Sequence, residues 1–148
     1  MPGHGESTAA AIQQAIFEQD AEALQKGIET YLIETVSVFD TGSEAFYQGL
    51  MIGLCAILNN QYSVRSNRES GLGRFDIQLR PMDSRLPGLI FELKASRKDD
   101  EDLEALAYEA LHQIDQMRYE TEMRSEGIRE VLKAGIAFRG KEVVIRTE

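Results

Sequence analysis

Gly88-Leu-Ile-Phe-Glu92-Leu-Lys94-Ala95 is a nearly continuous apolar run, as expected of a β-strand covered on both faces. Two charged residues interrupt it. Carboxylates and ammonium groups are almost never buried unless they are paired or hold a metal. Glu92 and Lys94 stand two apart, so they project from one face of the strand. Upstream, residues 74–80 alternate strictly, with Phe75, Ile77 and Leu79 on one side and Arg74, Asp76, Gln78 and Arg80 on the other. If these two strands pair with their polar faces aligned, Asp76, Glu92 and Lys94 converge. The backbone carbonyl of Leu93 then lies within reach of the same point.

Working outward, residues 62–68 alternate in part and predict a strand, closed by a turn at 69–73. Residues 81–87 form a Pro-bounded loop. The acidic stretch 99–102 opens a long helix with a Leu103, Leu106, Ala110, Ile114, Met117 stripe, and acids at a helix start favour the macrodipole. Two short strands, 132–138 and 142–146, close the chain around Arg139-Gly140. On the N-terminal side, residues 9–19 read as helical. Asp20 caps a second helix carrying Leu24, Ile28, Tyr31, Leu32 and Val36. Ser43 caps a third, from Glu44 to about Asn59. Its Gly49 and Gly53, four apart, suggest close packing against a neighbouring element. Residues 1–7 read as a flexible leader that removes His4 from consideration, and 8–148 as one domain. The element order predicts an α/β fold with a mixed central sheet flanked by helices and extra helices at the N-terminus.

With 148 residues, the chain suits a single domain able to bury a core without staples. No apolar run approaches the length of a membrane span. The single cysteine, Cys55, rules out an intramolecular disulfide framework or a multi-Cys zinc site within this sequence. With no secretory signal pattern, the expected location is the cytoplasm. Neither Gly-x-Gly-x-x-Gly nor a P-loop occurs; Gly71 and Gly73 form only a fragment. A net charge of −9 argues at first against nucleic acid. Its distribution is uneven, at −7 over residues 1–64, +4 over 65–98 and −6 over 99–148. A basic island within an acidic protein would attract a phosphate backbone locally while suppressing nonspecific binding. Basic residues falling on solvated strands account for the pattern equally well.

Two carboxylates, a carbonyl and waters are what a hard divalent ion such as Mg²⁺ accepts. Such an ion polarises a phosphodiester and lowers the pKa of an attacking water. Lys94 would orient that water and offset charge on the phosphate oxygens. The plain alternative is a buried Glu92–Lys94 ion pair with Asp76 capping a turn.

Five blocks then occur in order: Glu44-Ala-Phe-Tyr-Gln-Gly-Leu, Arg68-Glu-Ser-Gly-Leu-Gly-Arg-Phe-Asp76, Glu92-Leu-Lys94, Ala110-Leu-His-Gln-Ile and Gly135-Ile-Ala-Phe-Arg-Gly-Lys. Together they resemble the PD-(D/E)XK nuclease superfamily over about residues 20–145. They look most like its nuclease-like family usually found C-terminal to AAA-ATPase-like domains in bacterial proteins. The resemblance implies a restriction-endonuclease-like α-β-β-β-α-β core and a Mg²⁺- or Mn²⁺-dependent phosphodiesterase site. In it Asp76 and Glu92 match the metal-binding acids, with the Leu93 carbonyl, and Lys94 the catalytic lysine. Glu44 matches an acid of the first core helix that helps bind metal or orient the lysine. Gln113 matches a polar position near the site. Nucleic acid, DNA by default, is the implied substrate, and an AAA-type ATPase the implied associate.

Residue by residue, rival readings stand beside these. Glu44 at a helix start also complements the dipole, and Gln113 also suits a core backbone group. Arg74 would bind phosphate or pair with a carboxylate. Tyr119 and Lys141 have family-like placements without an argued role, His112 reads as solvated and Cys55 as core. The expectation is a metal-dependent nuclease. Its rival is a binding module of the same fold without turnover. Apolar faces on residues 9–36 would serve a homodimer or ordinary core packing.

Overall fold

The structure, a computed structural model, describes residues 10–12, 14–16, 18, 20–35, 44–56, 61–69, 74–83, 85–96 and 98–147. Within them, the side chains of Thr35, Glu44, Ala45, Leu54, Arg68, Glu69 and Arg74 are outside the description. The expected leader with His4, the Ser43 cap, Val36, and the turn with Gly71 and Gly73 lie outside the described residues.

Helix α1 spans Ala21–Thr35 and α2 Glu44–Cys55; strands β1 Tyr62–Glu69, β2 Arg74–Pro81 and β3 Gly88–Ala95 follow. Helices α3 (Leu103–Ile114) and α4 (Tyr119–Ser125) then lead to β4 (Val131–Arg139) and β5 (Glu142–Thr147). Among the described residues the strands form one five-stranded sheet in chain order. Three ladders are antiparallel, and β3–β4 is parallel because α3 and α4 carry the chain back across the sheet. β3 is the central strand, buried throughout except for half-buried Ala95, which is why its sequence reads as an apolar run.

The sheet separates two layers. On one side α1 and α2 bury Ile28, Leu32, Tyr47, Met51 and Cys55 against Phe75, Ile77, Leu79, Phe91, Leu93 and Ile136. On the other, Leu111, Ile114, Met123 and Ile128 cover Ile90 and Val131. Burial pushes the Cys55 thiol up to about 12, as a core cysteine requires.

Local signals account for the element ends. Asp20 accepts from the Ala23 amide at 3.0 Å, and Asp102 accepts from Glu104 and Ala105 at 3.0 and 3.2 Å. Asp102→Ala leaves those amides without their cap and should cost about 1 kcal/mol, measured by denaturant unfolding. The stripe read as one long helix is broken: α3 stops at Ile114, Met117 lies in a turn, and α4 restarts at Tyr119. That short helix has one buried residue, Met123, and no side-chain cap, so no periodicity announces it. It ends in a Schellman turn, with Ile128 N–H bonded to Met123 and Gly127 N–H to Arg124 at 3.1 Å each. Gly127 supplies the φ of 96° this turn needs. A second expectation fails in α2. Gly49 and Gly53 are exposed, and no described atom lies within 4 Å of a Cβ built on either, so neither marks close packing.

Candidate metal centre

The β2–β3 register sets Asp76 directly opposite Glu92 and Arg74 opposite Lys94. Directly opposed residues have Cβ atoms roughly 4.5–5.5 Å apart, so the two acids are cross-strand neighbours on one face. All three polar groups are enclosed, with Asp76 4% exposed, Glu92 1% and Lys94 9%. Their face is the one under α3 and α4, since Phe75, Ile77 and Leu93 point into the opposite layer. Strand alternation therefore delivers Asp76, Glu92 and Lys94 to one place.

Neither plain alternative describes the geometry. Lys94 Nζ pairs with Glu109 Oε1 of α3 at 2.9 Å, and Asp76 lies within a strand. Leu93, between Glu92 and Lys94, is flanked by Phe75 and Ile136 in the two ladders. The backbone carbonyl of Asp76 accepts from Ser66 Oγ at 3.0 Å, and Ser66 Oγ accepts from Gln48 of α2 at 2.8 Å. A polar relay thus fixes the strand beneath the acid from the other layer.

Asn67 and Tyr119 complete the surroundings of Asp76. Asn67 is its Cα partner on β1 and donates to Asp76 Oδ1 at 3.4 Å. Tyr119, at the start of α4, donates to Asp76 Oδ2 at 3.3 Å. Burial, then the negative charge of Asp76, raises the Tyr119 phenol above its ordinary value, with a smaller contribution from Glu92. The phenol stays protonated, and remains a donor, to a higher pH than a free tyrosine, whose pKa is about 10.

Glu44 opens α2, and its side chain is outside the described residues. One turn on, Tyr47 stacks on Phe138 at 4.5 Å and donates to the Gly140 carbonyl at 2.8 Å. Phe138 pairs with Ala95, so α2 begins at the sheet end where β3 finishes, in the layer opposite the acids. Gln113 lies one turn after Glu109 on α3, and its Oε1 is buried without a hydrogen bond from any described residue. It does not satisfy a core backbone group through that oxygen. Glu109 and Asn67 carried no signal in the sequence beyond strand alternation and the four-residue spacing of Glu109 from Gln113.

Three bases of the island are neutralised by the chain itself. Arg80 is buried and pairs with Glu122 and Glu126 of α4, Arg85 with Asp83 and Lys94 with Glu109. Arg65 and Lys98 are exposed. Arg74, like Arg68, is outside the description at its side chain. His112 is exposed, as expected, and Lys141 is half-buried in the β4–β5 turn. A cavity of about 320 Å³ bordered by Leu24, Leu89, Arg124, Lys133 and Thr147 shares no residue with the acidic site.

The donor set suits a hard cation, because carboxylate and carbonyl oxygens are the ligands Mg²⁺ and Mn²⁺ accept. An orphaned amide oxygen on the covering helix is a ready acceptor for a bound water. Among the described residues no group of three or more acids, histidines or cysteines is arranged to hold a metal ion, so the acidic pair stands without a third described carboxylate ligand.

Residues 42–148 match the profile of the PD-(D/E)XK nuclease superfamily. The chain belongs to that superfamily. Its mixed sheet with flanking helices is the α/β core expected of a PD-(D/E)XK protein, whose relatives are usually nucleases and generally use divalent metals. No curated protein sequence matches the chain. Among the described residues no helix is long and apolar enough to cross a membrane.

Proposed function

We propose that the chain is a divalent-metal-dependent nuclease acting on DNA, with Asp76 and Glu92 as metal ligands and Lys94 as the catalytic lysine. The observation that carries this reading is the buried cross-strand pair Asp76–Glu92 with Lys94 on the same face. Two like charges directly opposed in a sheet repel each other, and a bound cation reverses that penalty. The carboxylates of Asp76 and Glu92, with the Leu93 carbonyl, would hold Mg²⁺ or Mn²⁺. When bound, the ion supplies Lewis-acid charge at the phosphate and lowers the pKa of a coordinated water. Lys94, held by Glu109, presents an ammonium toward the developing phosphate charge and keeps the attacking water in place. Hydrolysis forms one phosphorus–oxygen bond to that water, which gives up a proton to solvent, and breaks one to the leaving sugar oxygen, which takes a proton from solvent. Glu44, at the same sheet end, would assist the metal or Lys94, and Gln113 would hold a water through its orphaned oxygen. Association with an AAA-type ATPase domain belongs to the same proposal.

A second reading, a binding module without turnover, draws support from the pairing of Arg80, Arg85 and Lys94 with the chain's own carboxylates. The deciding experiment incubates supercoiled, linear and single-stranded DNA with the protein in Mg²⁺, Mn²⁺ or EDTA. Metal-dependent cutting is expected. Retention of DNA without cutting under either metal would establish the module instead.

A further inference from the structure

Asp76 is gripped at both carboxylate oxygens by side chains outside the acid–acid–lysine set. Asn67 Nδ2 donates to Asp76 Oδ1 at 3.4 Å and to the Tyr119 phenolic oxygen at 3.3 Å. The Tyr119 hydroxyl donates to Asp76 Oδ2 at 3.3 Å. Donors and acceptors balance around this triangle. Within it the amide spends two N–H groups and the phenol one O–H, and each carboxylate oxygen accepts one of these bonds. The bonds are long singly, but together they tie both carboxylate oxygens to two other elements.

The three members come from β1, β2 and the start of α4, elements far apart in sequence. Arg80, on the same face of β2, pairs with Glu122 and Glu126 of α4 and so anchors the helix that brings Tyr119 to Asp76. The phenol ring packs against the cluster of Leu111, Ile114 and Met123, which fixes the direction of its hydroxyl.

We propose that Asn67 and Tyr119 are positioning residues that set the plane of the Asp76 carboxylate and so favour Mg²⁺ over larger divalent cations. This rests on the reading of Asp76 and Glu92 as metal ligands. Mg²⁺ demands near-ideal octahedral geometry at about 2.0–2.1 Å, whereas Ca²⁺ accepts six to eight ligands at about 2.3–2.6 Å in flexible arrangements. A ligand of fixed orientation therefore benefits Mg²⁺ more, and a loosened one harms Mg²⁺ more.

The test follows free Mn²⁺ by electron paramagnetic resonance during titration of the full chain, with Mg²⁺ and Ca²⁺ as competitors. Wild type is compared with Asp76→Asn, Asn67→Ala and Tyr119→Phe, and thermal melting is recorded for each. Tyr119→Phe keeps the ring and its packing. Loss of a group that orients a metal ligand typically weakens metal affinity about 10–100-fold. Mg²⁺ affinity should fall at least about tenfold in Asn67→Ala and Tyr119→Phe, with Ca²⁺ affinity falling less. If both variants keep wild-type Mg²⁺ affinity and selectivity while Asp76→Asn loses binding, the positioning role is wrong and the metal site stands. An equal loss for both ions would refute selection. Wild type that binds no Mn²⁺, or binds it undiminished by Asp76→Asn, overturns the metal site and the clamp with it.

Discussion

Glu92→Gln should reduce metal-dependent DNA cleavage by at least about a hundredfold, a loss larger than that typical of groups that merely orient a metal ligand, while the metal-free melting temperature holds or rises. The substitution is nearly isosteric, so packing around a residue only 1% exposed is kept. What changes is charge. Glu92 lies directly across the β2–β3 ladder from Asp76, and removing one of two opposed negative charges relieves repulsion in the folded state. Without a cation the protein is relieved of that repulsion. With one, it loses a ligand and the charge that holds it. Opposite movements of stability and activity are the mark of a functional site held against its own electrostatics. A Glu92→Gln protein that cuts like wild type would place the chemistry elsewhere. Lys94→Gln makes a separate check, since it should slow cutting while leaving Mn²⁺ binding close to wild type.

Gly135→Ala should be the most damaging added methyl among the described glycines. A Cβ at Gly135 would meet the Ala107 carbonyl oxygen at 2.0 Å, the Leu111 nitrogen at 2.6 Å and the Leu111 Cα at 3.1 Å. These are backbone atoms of α3, which cannot rotate aside, so the whole helix must lift from β4. Overpacking of this kind costs typically about 1–3 kcal/mol, and each kcal/mol lowers the melting temperature of a chain this size by roughly 2–4 °C. Gly135 also pairs with Glu92, and α3 carries Glu109, the partner of Lys94. Cleavage should fall with stability, because misplacement near 1 Å can cost about a hundredfold. Gly49→Ala and Gly53→Ala are the controls. Both positions are helical with no described atom within 4 Å of an added Cβ, so each should stabilise by about 0.5–1 kcal/mol. Calorimetry on the three variants decides: equal effects at all three positions would contradict the packing described.

These glycines show where sequence stops being legible. Gly49 and Gly53 invite a packing explanation through their spacing, yet they face outward. Gly135 sits within strand β4 and supports a helix. Nothing local distinguishes them, because what a Cβ would strike belongs to another element. The same limit applies to the site. Asp76, Glu92 and Lys94 were legible because a strand's period of two assigns faces without knowledge of partners. Asn67 and Glu109 were not, since β1 alternates only partly and Glu109 is one of many acids on the last third of the chain. Helix α4 escaped for a related reason. Its seven residues bury only Met123, and its place depends on Arg80 and the Gly127 turn.

By itself, then, the amino-acid order determined the strands and their faces, the layered α/β class, the superfamily resemblance and the acidic pair beside a lysine. The strands, the class and the acidic pair follow from short-range periodicity and from the rule that buried charge needs a partner, and the resemblance rests on the five ordered sequence blocks. Tertiary structure alone decided which partner each charge takes. Lys94 goes to Glu109 rather than Glu92, Arg80 to Glu122 and Glu126, and Asp76 to Asn67 and Tyr119. Hydrogen bonds and ion pairs act over a few ångströms, and at that range the neighbours are chosen by how helices settle on the sheet.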